Sequence, residues 1–229
     1  MESMFAQWLN ETFSAFDGAI LGFYHRLAES CGTLLTPLMR AVSFTGDKGL
    51  VLLILSFLLC FFAKTRKTGF CMLLSIGFGA LMTNLILKEA ICRIRPYEAN
   101  ELFREFWTFV GAHRESDLSF PSGHTTAAAA AATGLWLTRG KKYLSVSIPY
   151  VFLMAASRNY FIVHYPTDVI AGALVGTLGG ILAYILTRWI FRLLHPYAHK
   201  KAIAFILYSD LKTAVSHPRK KNQKKENTP

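Results

Sequence analysis

Three short stretches of the chain carry residues that could do chemistry together. The first is Lys88, Arg93, Arg95 and Pro96. Lys88 and Arg95 are seven residues apart, two helical turns, so they are expected to share one face of a helix that Pro96 ends. Two cations on one face repel unless an anion lies between them, and a phosphate suits both: Arg binds it as a bidentate fork, Lys as a point charge. A pair of cations snorkelling at a helix end is the plainer reading of this cluster alone. The second stretch is Pro121-Ser122-Gly123-His124, followed by the run Ala127 to Ala132. Pro121 biases Phe120 to an extended conformation, Ser122 is a good N-cap, and the Ala-rich segment beyond is a strong helix former. Free backbone N–H groups at such a helix start attract an anion, and Gly123 lets it approach the backbone. The plainer alternative is a capped helix start with an incidental His124.

The third stretch runs from Ser157-Arg158 through His164 to Pro166 and Asp168. Pro166 fits the first turn of a helix, which leaves His164 just before it and Asp168 inside it. An Asp so placed can accept the Nδ1 proton of the His and leave Nε2 free as nucleophile or base. A lone His–Asp pair is often structural, but the three stretches combined supply cations, an anion-binding helix start and two imidazoles.

What must position these groups is a set of membrane helices. Of the 229 residues 52% are hydrophobic and only 17% charged, against about 25% charged in soluble domains. Uncharged stretches run 49–63, 68–87, 125–138, 143–157 and 169–187. A crossing helix needs about 20 residues; two stretches reach that, and three do so only with His124, Arg158 and their neighbours inside the helix ends. Polar groups at such depth are functional candidates. The expected fold is all-α: a polytopic membrane bundle of about five transmembrane helices (48–194), preceded by two interfacial amphipathic segments (1–47) and followed by a basic C-terminal region (195–229), disordered from about residue 216.

The net charge of +11 is explained by topology. With five spans, Lys64, Arg66, Lys67, Arg139, Lys141, Lys142 and the region from Arg188 fall on one side, which holds sixteen Lys and Arg against two acids. That side is then cytoplasmic, with the N-terminus, the 88–121 loop and His164 facing outward. Nucleic acid is not needed as a partner. Gly172, Gly176 and Gly180, every fourth residue, and the Ala run read as close helix packing in lipid. Residues 97–120, with Phe103, Phe106, Trp107 and Phe109 among charged neighbours, read as a lid or an interfacial helix.

In these residues the chain resembles the type 2 phosphatidic acid phosphatases, or lipid phosphate phosphatases, whose signature is K-x6-R-P, then P-S-G-H, then S-R-x5-H-x3-D. Lys88 to Arg95-Pro96, Pro121 to His124, and Ser157-Arg158 to His164 to Asp168 match every position and spacing, in order, within residues 80–185. The resemblance implies a metal-independent phosphatase without cofactors. It makes His164 the nucleophile that forms a phosphohistidine, Asp168 its orienting carboxylate, and His124 the acid and then the base. Lys88, Arg95, Arg158, Ser122 and Gly123 would hold the phosphoryl oxygens.

The implied substrate is a lipid phosphate or diphosphate in the bilayer of the cell membrane. Undecaprenyl diphosphate is favoured by the outward site, with phosphatidylglycerophosphate and phosphatidic acid as alternatives. A phosphotransferase would use the same residues, and a transporter with an Arg158, His164 and Asp168 relay is the reading from another class. Cys31 and Cys92 both fall outside, which leaves a disulfide open. Oligomeric state is not legible in the sequence.

Overall fold

The computed structural model describes residues 2–210, so the tail expected from residue 216 lies outside the described residues. Every regular element among the described residues is helical. Ser3 caps α1 (Met4–Thr12) by accepting from the Ala6 amide. There follows α2 (Ser14–Gly46), a single helix of 33 residues. The two surface segments expected from 1–47 are thus a short helix and one long one. Asp17, Leu21, Ala28, Met39, Ser43 and Gly46 are its buried positions, a stripe at helical period that the charged outer face conceals in the sequence.

This stripe fixes the course of α2. Leu21 packs on Ile162 and Tyr165, Thr36 hydrogen-bonds the Tyr160 hydroxyl at 2.6 Å, and Thr45 reaches the Tyr150 hydroxyl at 3.0 Å. The N-terminal part therefore passes across the loop at one end of the bundle, and only the last turns run down beside α9 (Leu144–Tyr160). At Lys48 and Gly49 the backbone is left-handed (φ 47° and 66°). The chain turns there and continues as α3 (Leu50–Cys60).

The helix α4 (Arg66–Ala80) runs back, through a π-helical stretch Leu81–Leu87, into the single turn α5 (Lys88–Ile91). Cys92 is left-handed (φ 53°) and ends it. Lys88 and Arg95 therefore do not share a helix face, as their spacing alone suggests: the helix stops at Ile91, and Pro96 opens α6 (Pro96–Ala99) instead of closing a helix. The amphipathic α7 (Glu101–Phe109) turns Phe103, Phe106 and Trp107 onto the Leu21, Ile162 and Tyr165 cluster. Its residue Phe106 stacks on His25 of α2 at 3.8 Å.

Among the described residues three helical stretches, Ser14–Cys60, Arg66–Ala99 and Pro166–Tyr197, are long and apolar enough to cross a membrane. Between them stand α8 (Gly123–Arg139) and α9, of 17 residues each. The last long helix, α10 (Pro166–Leu194), is followed by α11 (Lys201–Tyr208). The basic groups gather at one end, where Arg139 donates to the Lys64 carbonyl at 3.0 Å and Arg66 contacts Ser209. The residues of the three stretches singled out in the sequence gather at the other.

Close contact of α10 with α8 depends on the glycines the sequence singled out. A Cβ on Gly176 would overlap the Thr126 carbonyl and lie 2.9 Å from the Ala129 Cβ. Gly176→Ala should destabilise the protein by about 1–3 kcal/mol, because the helices must separate to admit one methyl group. Thermal unfolding in detergent measures this; an unchanged melting temperature would mean the contact is not needed.

Candidate active site

The catalytic candidates arrive from three elements. Ser122 is the N-cap of α8, its hydroxyl accepting from the Thr125 amide at 3.5 Å, and Gly123 and His124 form the first turn. A cavity of about 270 Å³ is lined by Lys88, Arg95, Gly123, His124 and His164, together with Asp117. Arg158 lines an adjoining cleft that shares His124 and Glu115 with it. The structure thus brings seven of the eight expected site residues to one place: Lys88, Arg95, Gly123, His124, Arg158 and His164 on the walls, with Asp168 behind His164. Ser122 is the exception. It is fully buried and does not line the cavity; the bond at 3.1 Å from the Thr125 hydroxyl, like that from the Thr125 amide, uses its oxygen as acceptor and leaves its own O–H to donate.

His164 sits in the turn between α9 and α10, held by Asn159, which donates to its carbonyl at 3.0 Å. Its Nε2 is 3.3 Å from Nη1 of Arg95. A guanidinium can only donate, so this contact makes Nε2 the unprotonated nitrogen and puts the proton on Nδ1. That Nδ1 faces Oδ2 of Asp168 at 3.6 Å, a charge contact longer than a hydrogen bond. Burial pushes the His164 imidazole well below its usual pKa, and the charges of Arg95, Arg158 and Lys88 push the same way. The ring is neutral near pH 7, with a lone pair on Nε2 directed to the cations.

Asp168 is fully buried and multiply held. Arg93 donates to its Oδ1 at 2.6 Å, while Oδ2 accepts from the Ser119 hydroxyl at 2.5 Å and from the Tyr165 amide at 2.9 Å. Arg93 also donates to Asp17 at 3.0 Å, Thr167 at 2.7 Å and Asn10 at 2.9 Å, and lies 3.9 Å over the Tyr165 ring. The sequence placed Arg93 beside Lys88 and Arg95 as one more cation. In the structure it faces away from the cavity and ties α1 and α2 to Asp168.

Three acids at this end had no assigned part. Asp17 was one polar residue among many in a segment without a long apolar run. Asp117 bonds both Lys88 and Arg95, and Glu115 bonds Arg158. Burial alone would raise the Asp117 carboxyl, but the hydrogen bond and charge of Lys88, with those of Arg95, outweigh it and hold the pKa at about 2. The four cysteines are all free thiols.

Two buried polar atoms in the site lack a partner, Nε of Arg158 and Nδ1 of His164. Buried donors are nearly always satisfied, so these mark where a ligand or a shift of Asp168 completes the site. The arrangement can grip one phosphoryl group with three cations and the α8 start, and present a neutral imidazole to it.

The PAP2 superfamily matches this chain over residues 68–192, more than half of its length and all of the signature. The chain belongs to the PAP2 superfamily. Among curated proteins it is 32% identical over 116 residues to a lipid A 4'-phosphatase of Bacteroides thetaiotaomicron, covering 50% of this chain and 52% of that protein. It is 32% identical over 120 residues to an undecaprenyl-diphosphatase of Sulfolobus acidocaldarius, covering 52% and 55%. The chain thus spans about half the length of these curated relatives. Among solved structures it is similar to a transmembrane PAP2 type phosphatidylglycerolphosphate phosphatase from Bacillus subtilis, at 26% identity and a TM-score of 0.57, covering 82% of this chain and 93% of that one. The PAP2 match excludes α1, α2 and α3, the first two of which supply Asn10 and Asp17 to Arg93.

Proposed function

We propose that this PAP2 protein is a membrane lipid phosphatase that removes a terminal phosphate through a phosphohistidine on His164. The observation that carries the reading is the convergence of Lys88, Arg95, Arg158, His124 and an Nε2-unprotonated His164 on one site. His124 is neutral in the free protein, because burial and the charge of Arg158 lower its pKa, and it takes up the proton that a phosphate monoanion brings. In the first step the Nε2 lone pair forms a P–N bond while the P–O bond to the lipid breaks, and His124 gives that proton to the leaving oxygen. Asp168 balances the positive charge the imidazole acquires. In the second step His124 takes a proton from water, the water oxygen attacks phosphorus, and the P–N bond breaks to release phosphate. Phosphoryl transfer asks a protein chiefly for in-line positioning and for charge on the equatorial oxygens. The three cations and the Gly123 and His124 amides fit that demand.

Undecaprenyl diphosphate is the substrate we favour. One of the relatives is named an undecaprenyl-diphosphatase, and the cationic end that carries Lys64 and Arg139 would face the cytoplasm, leaving the site on the outer face of the cell membrane. The reading includes metal independence. Lys88 and Arg95 on the cavity wall and Arg158 in the adjoining cleft supply the positive charge that would face the phosphate, and among the described residues no three His, Cys, Asp or Glu side chains converge to hold an ion.

The test is a panel of undecaprenyl diphosphate, phosphatidylglycerophosphate and phosphatidic acid, assayed for phosphate release with and without EDTA. Turnover undiminished in EDTA and highest on undecaprenyl diphosphate is expected. Loss of activity restored by a divalent ion would overturn the metal-free mechanism, and phosphate appearing on a second lipid would make the protein a phosphotransferase.

A further inference from the structure

Two carboxylates are paired with the three cations proposed to hold the phosphate. Oδ1 of Asp117 accepts from Nη2 of Arg95 at 2.6 Å, its other oxygen is paired with Nζ of Lys88, and Glu115 is paired with Nη2 of Arg158. The three cations are buried, whereas the Asp117 and Glu115 side chains are 49% and 30% exposed, on the solvent side of the site. Arg95 further holds the loop by donating Nε to the Asp117 carbonyl at 2.8 Å. Both acids belong to one segment between Gly111, with its positive φ of 63°, and Ser119, whose amide is bound to the Arg93 carbonyl at 2.8 Å. Among the hydrogen bonds of Arg158, Nη1 goes to Ser43 at 2.5 Å, but Nε is left without an acceptor. The carboxylates therefore occupy the cradle without completing it.

Charge counting gives this arrangement a purpose. Three buried cations in one cradle are costly without counter-charge, and a bilayer surface offers phosphodiesters, each with one negative charge, at high local concentration. An uncapped cradle would fill with them. The two acids supply two negative charges, and a terminal phosphate, which carries about −1.5 to −2 near neutral pH, replaces both. A phosphodiester replaces only one and leaves the cradle short of counter-charge.

We propose that Glu115 and Asp117 are specificity-determining residues: they cap the Lys88, Arg95 and Arg158 cradle, yield to a terminal phosphate, and exclude the phosphodiester headgroups of surrounding lipids. This rests on reading the cradle as the phosphate site. The acids act by competition, so specificity is a difference between two displacement energies and not a direct contact with substrate.

The experiment measures binding of inorganic phosphate by calorimetry to the purified full chain in detergent, for the parent protein, Glu115→Gln, Asp117→Asn and the double variant. Micelles containing phosphatidylglycerol serve as the phosphodiester competitor. Removing the competing charges should tighten phosphate binding about ten- to a hundredfold in the double variant, the effect of freeing charge-assisted hydrogen bonds. Phosphatidylglycerol should displace phosphate from the double variant and not from the parent. Asp117→Glu, which keeps the carboxylate, should bind like the parent, and the single variants show the effect in part if the double variant fails to fold.

Phosphate affinity unchanged or weaker in the folded variants overturns the proposal, as does equal competition by phosphatidylglycerol in parent and double variant. Turnover, assayed separately, keeps the two readings apart. Tighter phosphate binding without phosphate release from any lipid leaves the cap standing and removes the phosphatase reading; lipid turnover with unaltered phosphate affinity does the reverse.

Discussion

Replacing His164 by Ala should lower phosphate release by at least about 10⁴-fold, because a covalent route loses its only acceptor atom for the phosphoryl group. The fold should persist. The His164 side chain makes one contact of hydrogen-bonding length, to Arg95, which keeps its bonds to Val163 and Asp117, so the melting temperature should move by only a few degrees. Rates on a lipid diphosphate and circular dichroism in detergent check both halves. Trapping adds a direct reading: labelled phosphate should remain on the parent protein after rapid denaturation and be absent from the variant. Near-normal turnover in His164→Ala would end the covalent mechanism, whatever the trapping shows.

The second large effect concerns Arg93, which does not line the cavity. Arg93→Met should cost about 3–5 kcal/mol of stability, since it leaves the carboxylates of Asp17 and Asp168 buried and unpaired. Both are almost wholly inaccessible, at 2% and 0% exposure. Turnover should fall as well, through kcat more than KM, because Asp168 loses the bond to Oδ1 that fixes its orientation toward Nδ1 of His164. Adding Asp17→Asn to Arg93→Met should recover part of the stability by removing one of the two orphaned charges. A double-mutant cycle from unfolding in detergent measures that coupling. If the losses of Arg93→Met and Asp17→Asn simply add, the proposed link between the N-terminal helices and the active site fails.

The candidate site was largely legible because phosphoryl chemistry demands particular residue types near helix boundaries, and those boundaries have local signals. Ser122 before an Ala-rich run and Pro166 at a helix start are set by backbone chemistry within a few residues, and both appear where expected. The small residues of α8 and α10 likewise announced a close helix contact. Three readings depended on more than local pattern. Lys88 and Arg95 meet at Asp117 through a left-handed Cys92 and an extended Arg95, not through a shared helix face. Ser122 caps α8 as an acceptor and lies off the cavity walls. The aromatic residues of α7 are packed on α2 and the 160–165 loop, where a free lid was one of two options.

By itself the sequence determined that this is a helical membrane-type chain with its imidazoles and cations at helix ends, since hydropathy, capping and signature spacing are all properties of neighbours in the chain. Only the tertiary structure decided how charge is balanced there. Asp17 meets Arg93 across 76 residues and Glu115 meets Arg158 across 43. Burial of a charge requires a counter-charge, but nothing in local sequence says which distant carboxylate will provide it. That choice follows from the path of α2 across the loop and of residues 111–119 over the cavity.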